Sequence, residues 1–466
     1  FIFLQQKEFE SFLLGDVKEK SLLYEKLLKN NLIRGSLNFD QMIELYQKRH
    51  SFLARGPSLH IVVLTLRCDH KCVYCQAASR GESAKEYDMS ISTAKRVVDT
   101  ILESPSKTIT IEFQGGEPLA NWPTLKYIVE YARRKNKSIG KELHFTLVSN
   151  LTFMDEAKFN WIFKNQIGVC TSIDGPEYLH NENRKNKTNN SYQIATKWIK
   201  KIKQKYEKVK DDDRRKYIYA PGALITVTRN ALKYPKEIVD EYCKMGFDTI
   251  YLRPLAKLGF AKETWQKIGY EVNEFIDFYK KALNYIFEKN YKKSGLFIEY
   301  TALTFLVKIL AGRDPGQLDL RSPCGAGIGQ ILYNYDGNVF SCDEGRMLEE
   351  DLFKIGNVYN NSYKDIVSNK AVKSICAASC LDGTYCDSCV YKVYCGICPA
   401  WNYGESGKLF TQLHENRKHL LNEGVLDFLF EKMENKKVRA VFEKWVEEYK
   451  KQHTRIARVV RKNLKK

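Results

Sequence analysis

Residues 66–76 read LRCDHKCVYCQ and place three thiols, Cys68, Cys72 and Cys75, within eight positions, with no fourth cysteine nearby. A structural zinc ion is closed by four protein ligands, so three thiolates leave one coordination position for something that reacts. A cubane 4Fe-4S cluster held by the same three would keep one iron free of the protein. The spacing raises a question about chemistry before it raises one about folding.

The remaining cysteines are distributed unevenly. Eight of the thirteen, Cys324, Cys342, Cys376, Cys380, Cys386, Cys389, Cys395 and Cys398, lie in one C-terminal stretch. Eight thiolates saturate two 4Fe-4S clusters at four each. The rival is a pair of zinc sites, because Cys386-x2-Cys389 and Cys395-x2-Cys398 have the spacing of zinc half-sites. Cys170 and Cys243 stand alone in apolar contexts and are expected to be small core residues.

Composition narrows the classes. With 466 residues, 44% of them hydrophobic, the chain can bury two or three cores and is not disordered. No apolar run approaches the roughly 18 residues of a membrane span. The opening FIFLQQKEFESFLL lacks the order of a secretory signal, so a cytoplasmic location is expected, where clustered thiols serve metals more often than disulfides. Net charge is +19, and residues 435–466 carry 12 Lys and Arg against 3 Glu. Val438, Val441, Phe442, Trp445 and Tyr449 recur there at helical spacing, which predicts an amphipathic helix packed on its own protein with a solvated basic face. The run KVKDDDRRKY near 208–217 reads as an exposed loop.

The thiols must be positioned by regular elements. Between 58 and 253 the runs LHIVVLTL, TITIEF, ELHFTLVS, GVCTSI, GALITV and DTIYLR alternate with helical patterns at 91–103, 122–135, 156–165, 192–205 and 235–245. Apolar strands alternating with helices predict a parallel α/β sheet buried on both faces, and six such units fit a partial (β/α)6 barrel. Function should then gather at the C-terminal strand ends, where the three-cysteine loop directly follows the first strand.

This loop, with Tyr74 before its third cysteine, resembles the signature of the radical S-adenosylmethionine (SAM) superfamily. The resemblance implies that the open iron chelates the amino and carboxylate groups of SAM, and that an electron from the cluster releases a 5'-deoxyadenosyl radical that removes a hydrogen atom from the substrate. Other strand ends agree. FQGGEP, with Gly115, Gly116 and Glu117, resembles the family's GGE motif and implies that Glu117 meets the SAM amino group, although a plain Gly-Gly turn before a helix is the alternative. In VSNLT, Ser149 and Asn150 resemble residues near the SAM ribose. By the same resemblance Ser172, in SIDGP, and Arg184, in HNENR, are candidates for the SAM carboxylate, a group that a guanidinium pairs with in bidentate fashion. Surface exposure is the alternative for Arg184, and capping of the turn at Gly175 is the alternative for Asp174.

Cys324, then Gly337 with four residues before Cys342, then the Cys-x2-Cys-x5-Cys run resemble the SPASM extension, which binds two auxiliary clusters C-terminal to radical SAM cores. The match departs from the usual pattern. Cys398 follows Cys395 by three positions, no cysteine comes after it, and Cys376 and Cys380 stand as replacements. The resemblance therefore implies three 4Fe-4S clusters, one SAM-binding and two auxiliary, with fully protein-ligated auxiliary clusters serving electron transfer. His414 and His419 follow the block and are read as solvated histidines on a basic helix, not ligands.

Within the superfamily the chain is most similar to maturases of ribosomally made peptides, closest to the His-Xaa-Ser system radical SAM maturase family. That implies a precursor peptide or protein substrate, a reductant such as flavodoxin or ferredoxin, room for a partner maturase, and no membrane or nucleic acid partner. The N-terminal stretch reads as a short strand followed by amphipathic helices. It resembles a leader-peptide recognition module that binds by strand addition, or it is a cap on the barrel. The alternative among enzymes is a sulfatase maturase forming formylglycine, in which Asp343, next to Cys342, matches a proton acceptor. The same Asp343 could instead only accept amide hydrogen bonds around a cluster. A basic zinc protein that binds nucleic acid is the alternative of another class. It accounts for the charge but not for three cysteines at one strand end and Gly-Gly-Glu at the next. The expected organisation is an N-terminal subdomain at 1–50, a radical SAM core at 56–290, a helical linker at 291–322, a SPASM domain at 323–402 and a basic C-terminal helical region at 403–466.

Overall fold

A computed structural model describes the chain except for Phe1, Phe3, residues 210–220 and 293–295, Glu349, Gly383, residues 411–415 and 464–466, and the side chains of residues 453–463. His414 and, from residue 210 onward, the mixed-charge run lie outside the described residues. The chain divides into two compact units, residues 1–55 and 56–466.

In the larger unit the six expected runs form parallel strands β1 (Leu59–Thr65), β2 (Thr108–Gly115), β3 (Glu142–Val148), β4 (Ile167–Ser172), β5 (Gly222–Val227) and β6 (Leu252–Pro254). Three further strands come from the cysteine-rich stretch: β7 (Gln330–Tyr333), β8 (Asn338–Phe340) and β9 (Lys354–Asn357). Among the described residues they join one sheet in the order β9-β8-β7-β1-β2-β3-β4-β5-β6. Strand β7 runs parallel to β1, with Leu59 opposite Gln330 and Val62 opposite Tyr333, while β8 and β9 turn back antiparallel. The otherwise free edge of β1 is thus paired.

The crossover helices start and stop where local chemistry dictates. Ser90 accepts from Thr93 N at 3.1 Å to cap Ile91–Leu102, and Asp155 accepts from Lys158 N at 2.7 Å to cap Glu156–Lys164. Helix Trp122–Ile139 ends on Gly140 with φ +79°, a conformation that favours glycine. One hydrophobic core, including Ile109, Ile111 and Phe113 of β2 with Val97, Ile101, Leu125 and Ile128, fills the space between sheet and helices.

Strand β1 is buried on both faces as expected, but not every strand is. In β2, Ile109, Ile111 and Phe113 are wholly buried, whereas Thr110, Glu112 and Gln114 alternate with them on the other face. That face lines the barrel interior, which must accept polar reactants, and this is why the period-2 alternation replaces the expected continuous apolar run.

The C-terminal helix Lys436–Asn463 behaves as its periodicity predicts. Val438, Val441, Phe442 and Trp445 are buried, and the rings of Phe287 and Phe442 meet edge-on with centroids 5.4 Å apart. Cys170 and Cys243 are only partly buried, because Cys170 sits on the interior face of β4 and Cys243 on a helix rim.

Of the strand-then-helices pattern expected for the N-terminal unit, Phe1 and Phe3 of the strand lie outside the described residues. Helices Gln6–Leu13, Leu22–Lys29 and Phe39–Arg49 are present, and no strand occurs among its described residues. A capping box of Gln5 with Glu8 starts the first helix at Gln6. Leu27 is the buried hydrophobic residue of this unit, while Leu13, Leu14, Leu22, Phe39, Ile43 and Tyr46 are more than half exposed.

Candidate active site

The loop 66–88 is anchored before it reaches the thiols. Arg67 forks onto Asp88 through Nη2 to Oδ2 at 2.6 Å and Nε to Oδ1 at 2.8 Å, and Thr65 donates to the same Oδ1 at 2.5 Å. Cys68 N donates to Arg80 O at 2.9 Å, and the Cys68 thiol accepts from His70 N at 3.4 Å and faces Asn150 Nδ2 at 3.6 Å. Asn150 Nδ2 also reaches Asp69 Oδ1 at 2.9 Å and His70 Nδ1 at 2.6 Å, so the end of β3 clamps the loop. Cys72 pairs with Arg184 in a two-residue antiparallel ladder, and Cys75 Sγ lies 3.4 Å from Ser79 Oγ. Burial pushes the Cys72 thiol up to about 12 against the pull of Arg184, and burial raises Cys68 well above the usual range. Loading a metal must therefore expel thiol protons.

The glycines of Gly115-Gly116-Glu117 are required by the backbone itself. At Gly115 (φ +142°) a Cβ would lie 2.1 Å from Thr65 O, and at Gly116 one would lie 2.4 Å from Leu66 O and Arg67 O. The turn is locked under the end of β1 by Gly116 N to Thr65 O at 2.8 Å and Glu117 N to Arg67 O at 2.7 Å. Glu117 is wholly buried. Its carboxylate accepts from Leu119 N at 3.0 Å, Ser149 Oγ at 2.7 Å and Asn150 N at 2.7 Å, while burial raises it to about 7. These bonds join three successive strand ends.

Arg184 is not a surface residue. Its Nη1 donates to Tyr74 Oη at 3.0 Å, and Tyr74 Oη donates to Asp174 Oδ2 at 2.5 Å. Burial opposes the guanidinium charge, but Cys72, Tyr74 and Asp174 hold it above the ordinary value. Asp174, wholly buried, is thus an acceptor for the loop's tyrosine and not merely a turn cap. Ser172 lies half-buried at the end of β4 on the interior face.

A second thiol site lies among the C-terminal elements. A cavity of about 360 Å³ is lined by Cys324, Cys342 and Cys398 together with Asp319, Asp343, Glu344, Arg253 and Lys418. Cys342 is pushed well above the usual thiol range by burial and then by Glu344, Cys398, Asp343 and Cys324; burial likewise brings Cys398 to about 12. The other five cysteines are not among the cavity's lining residues. Cys395 accepts from Asn422 Nδ2 at 3.4 Å, and Cys386 and Cys389 follow one another around a short turn at Tyr385–Ser388. Among the described residues no two of the thirteen cysteines are joined in a disulfide.

Residues 62–212 match the radical SAM superfamily, and residues 324–390 match the SPASM iron-sulfur cluster-binding domain. The chain carries a radical SAM domain. It is 24% identical over 319 residues to the cysteine-type anaerobic sulfatase-maturating enzyme of Clostridium perfringens, spanning 66% of this chain and 79% of that protein. Among solved structures it resembles native anSMEcpe with bound AdoMet and Cp18Cys peptide, with a TM-score of 0.66 at 19% identity over 83% of this chain and 99% of that one. It also resembles Streptococcus suis SuiB bound to precursor peptide SuiA, with a TM-score of 0.50 at 12% identity over 79% and 78%. These likenesses share the α/β radical SAM fold with its SPASM extension.

The cofactors of this radical SAM enzyme are SAM and 4Fe-4S clusters, three in the SPASM-type arrangement. The donor sets fit. Cys68, Cys72 and Cys75 are free thiols at the strand ends with no fourth cysteine, whereas a single ion would have to use Cys68, Asp69 and His70, whose Nδ1 is already engaged by Asn150.

Three further charged residues near these sites escaped the sequence. Glu112 faces the interior, raised by burial, opposed by its bond from Gln114 and further raised by the charge of Asp343. Arg253 and Glu344 flank Asp343, and burial followed by Asp343 raises Glu344 well above the carboxylate range. Polar residues at alternate positions of TITIEFQ were the signal for Glu112. His419 is buried, not solvated: its N–H donates to Asn416 Oδ1 at 3.0 Å and its ring lies 3.7 Å from Glu423, because its helix packs its apolar face on the core. No described helix is long and apolar enough to cross a membrane.

Proposed function

We propose that the enzyme matures a ribosomally made peptide or protein, taking a hydrogen atom from one residue and oxidising the resulting centre to form a crosslink, in the manner of the His-Xaa-Ser system maturases. The observation that carries this reading is the position of Asp343, which lines the Cys342 cavity and whose charge also acts on Glu112 of the barrel interior. Loaded with SAM, the Cys68/Cys72/Cys75 cluster supplies hydrogen-atom abstraction. Removal of an atom and then an electron leaves a proton, which Asp343, beside an electron-accepting site, is placed to take. Tyr74, Gly115, Gly116, Glu117, Ser149, Asn150, Ser172 and Arg184 are assigned to SAM, Glu117 through the acceptor capacity its carboxylate retains beyond its three bonds. A peptide accompanies both solved relatives and supports this substrate class. Flavodoxin or ferredoxin suits as the reductant. The exposed apolar helices of residues 1–55 would take a leader peptide by side-chain packing, since they offer no described strand for augmentation.

A second reading, formylglycine formation, is favoured by the similarity to the Clostridium perfringens sulfatase-maturating enzyme and by the same Asp343. Anaerobic reconstitution with iron and sulfide, followed by dithionite, SAM and the peptide encoded beside the gene, separates the readings. Loss of about 2 Da with a crosslinked fragment pattern supports the first, an aldehyde on a Cys or Ser of a sulfatase peptide the second, and absence of 5'-deoxyadenosine overturns both.

A further inference from the structure

We propose that Asp319 is the fourth protein ligand of the auxiliary cluster held by Cys324, Cys342 and Cys398, with Lys418 as its counter-ion. The inference rests on the iron-sulfur reading of this cavity. Eight thiols had suggested two clusters at four each, but the fold gathers three in the cavity and leaves five outside its lining. A cubane there is one thiolate short.

Asp319 lines the same cavity, on the short turn Leu318–Leu320 that precedes Cys324 by four residues. Its carboxylate oxygens are differently placed: Oδ2 meets Lys418 Nζ, whereas Oδ1 is buried and accepts no hydrogen bond among the described residues. The Asp319 side chain as a whole keeps 34% of its surface accessible and lines the cavity, so its carboxylate can turn to an iron there. It shares the cavity lining with Cys324 and Cys398, and its charge opposes ionisation of both thiols. Backbone packing holds it there. Gly396, two residues before Cys398, could carry no side chain, because a Cβ would lie 2.1 Å from Asp319 O.

Two other carboxylates line the cavity. Asp343 and Glu344 begin the helix Asp343–Met347 as an acidic pair whose charges act on Arg253. Asp319 instead has its own cation: burial disfavours the Lys418 charge, yet Asp319 and Cys398 hold it above the usual range. Lys418 Nζ also lies 5.3 Å from the ring centroid of Trp401. A carboxylate at one iron in place of a thiolate raises the reduction potential of that cluster relative to its all-thiolate form, which suits an electron acceptor.

The test uses the full chain with Cys68→Ala/Cys72→Ala/Cys75→Ala, so that only auxiliary clusters assemble, and reads iron content, Mössbauer spectra and potentiometric EPR without any activity. The parent should bind about eight irons. Adding Asp319→Ala should release about one iron in eight on mild oxidation and give a 3Fe-4S signal. Asp319→Cys should keep all the iron at a lower potential, and Lys418→Gln should shift the potential without iron loss; the unchanged signal of the second cluster reports that each variant is folded. If Asp319→Ala leaves spectrum and iron unchanged, or if Glu344→Gln or Cys380→Ala produces the iron loss instead, the assignment is overturned while the cofactor reading stands. If the parent binds no iron, both fall together.

Discussion

The molecule contains two three-thiol sites built by opposite routes. Cys68, Cys72 and Cys75 come from one loop and are surrounded by neutral or hydrogen-bonded groups, with Arg184 the nearby cation, already engaged by Tyr74. Cys324, Cys342 and Cys398 are gathered from three segments, and their cavity contains Asp319, Asp343, Glu344, Arg253 and Lys418. A contiguous loop leaves one side of its metal open, because eight residues cannot wrap around a cluster. A site assembled by tertiary packing can close that side with a side chain from elsewhere. Openness and closure follow from chain path as much as from the count of cysteines.

The largest effects should separate the sites outright. Cys72→Ala should abolish 5'-deoxyadenosine formation, whereas Cys342→Ala should retain SAM cleavage but lose peptide product, each variant missing about four irons. Product without the second site would erase the functional distinction. Next, Gly116→Ala should destabilise the protein by on the order of 4 kcal/mol in chemical denaturation and lower iron occupancy at the first site alone, since the new methyl meets two carbonyl oxygens.

The third effect is pH-dependent. Because burial raises Glu117 to about 7 in the folded chain, the folded state holds a proton that the unfolded state has released above its ordinary carboxylate value near 4.5. The contribution is fully present below that value and is lost as pH rises to about 7, so metal-free protein should lose about 3 kcal/mol over that window. Urea titrations at several pH values should show the slope in wild type and its disappearance in Glu117→Gln. The smallest effect belongs to Tyr74→Phe. It removes the donor to the buried Asp174 and should cost about 1–3 kcal/mol by the same titrations, with SAM affinity weakened and the auxiliary clusters unaffected in EPR.

Much of the barrel was legible, and the reasons are local. Its six strands are β-branched runs set between helices with clear caps, and Ser90 or Asp155 can be recognised without neighbours. The contiguous cysteine loop and the Gly-Gly-Glu turn were legible for the same reason, although the glycines turned out to answer to the carbonyls of Thr65, Leu66 and Arg67 and not to a ligand alone. Strands β7, β8 and β9 are three or four residues long and carry no period that a sequence can show. The partition of eight cysteines into three and five depends on tertiary packing, as does the meeting of Asp319 with Lys418 across 99 positions of chain. His419 misled for a related reason: a run of basic neighbours suggested solvent, but its helix buries Leu421, Val425 and Leu429.

The pairing of β7 with β1 means that the strand leading into the Cys68–Cys75 loop has neighbours on both sides, one from the barrel and one from the cysteine-rich C-terminal stretch. A fragment ending before residue 323 would uncover the backbone N–H and C=O row of Leu59–Val62. Such an edge seeks another strand, so the shortened protein would recruit copies of itself into aggregates, and the C-terminal region serves as the barrel's built-in guard against self-association.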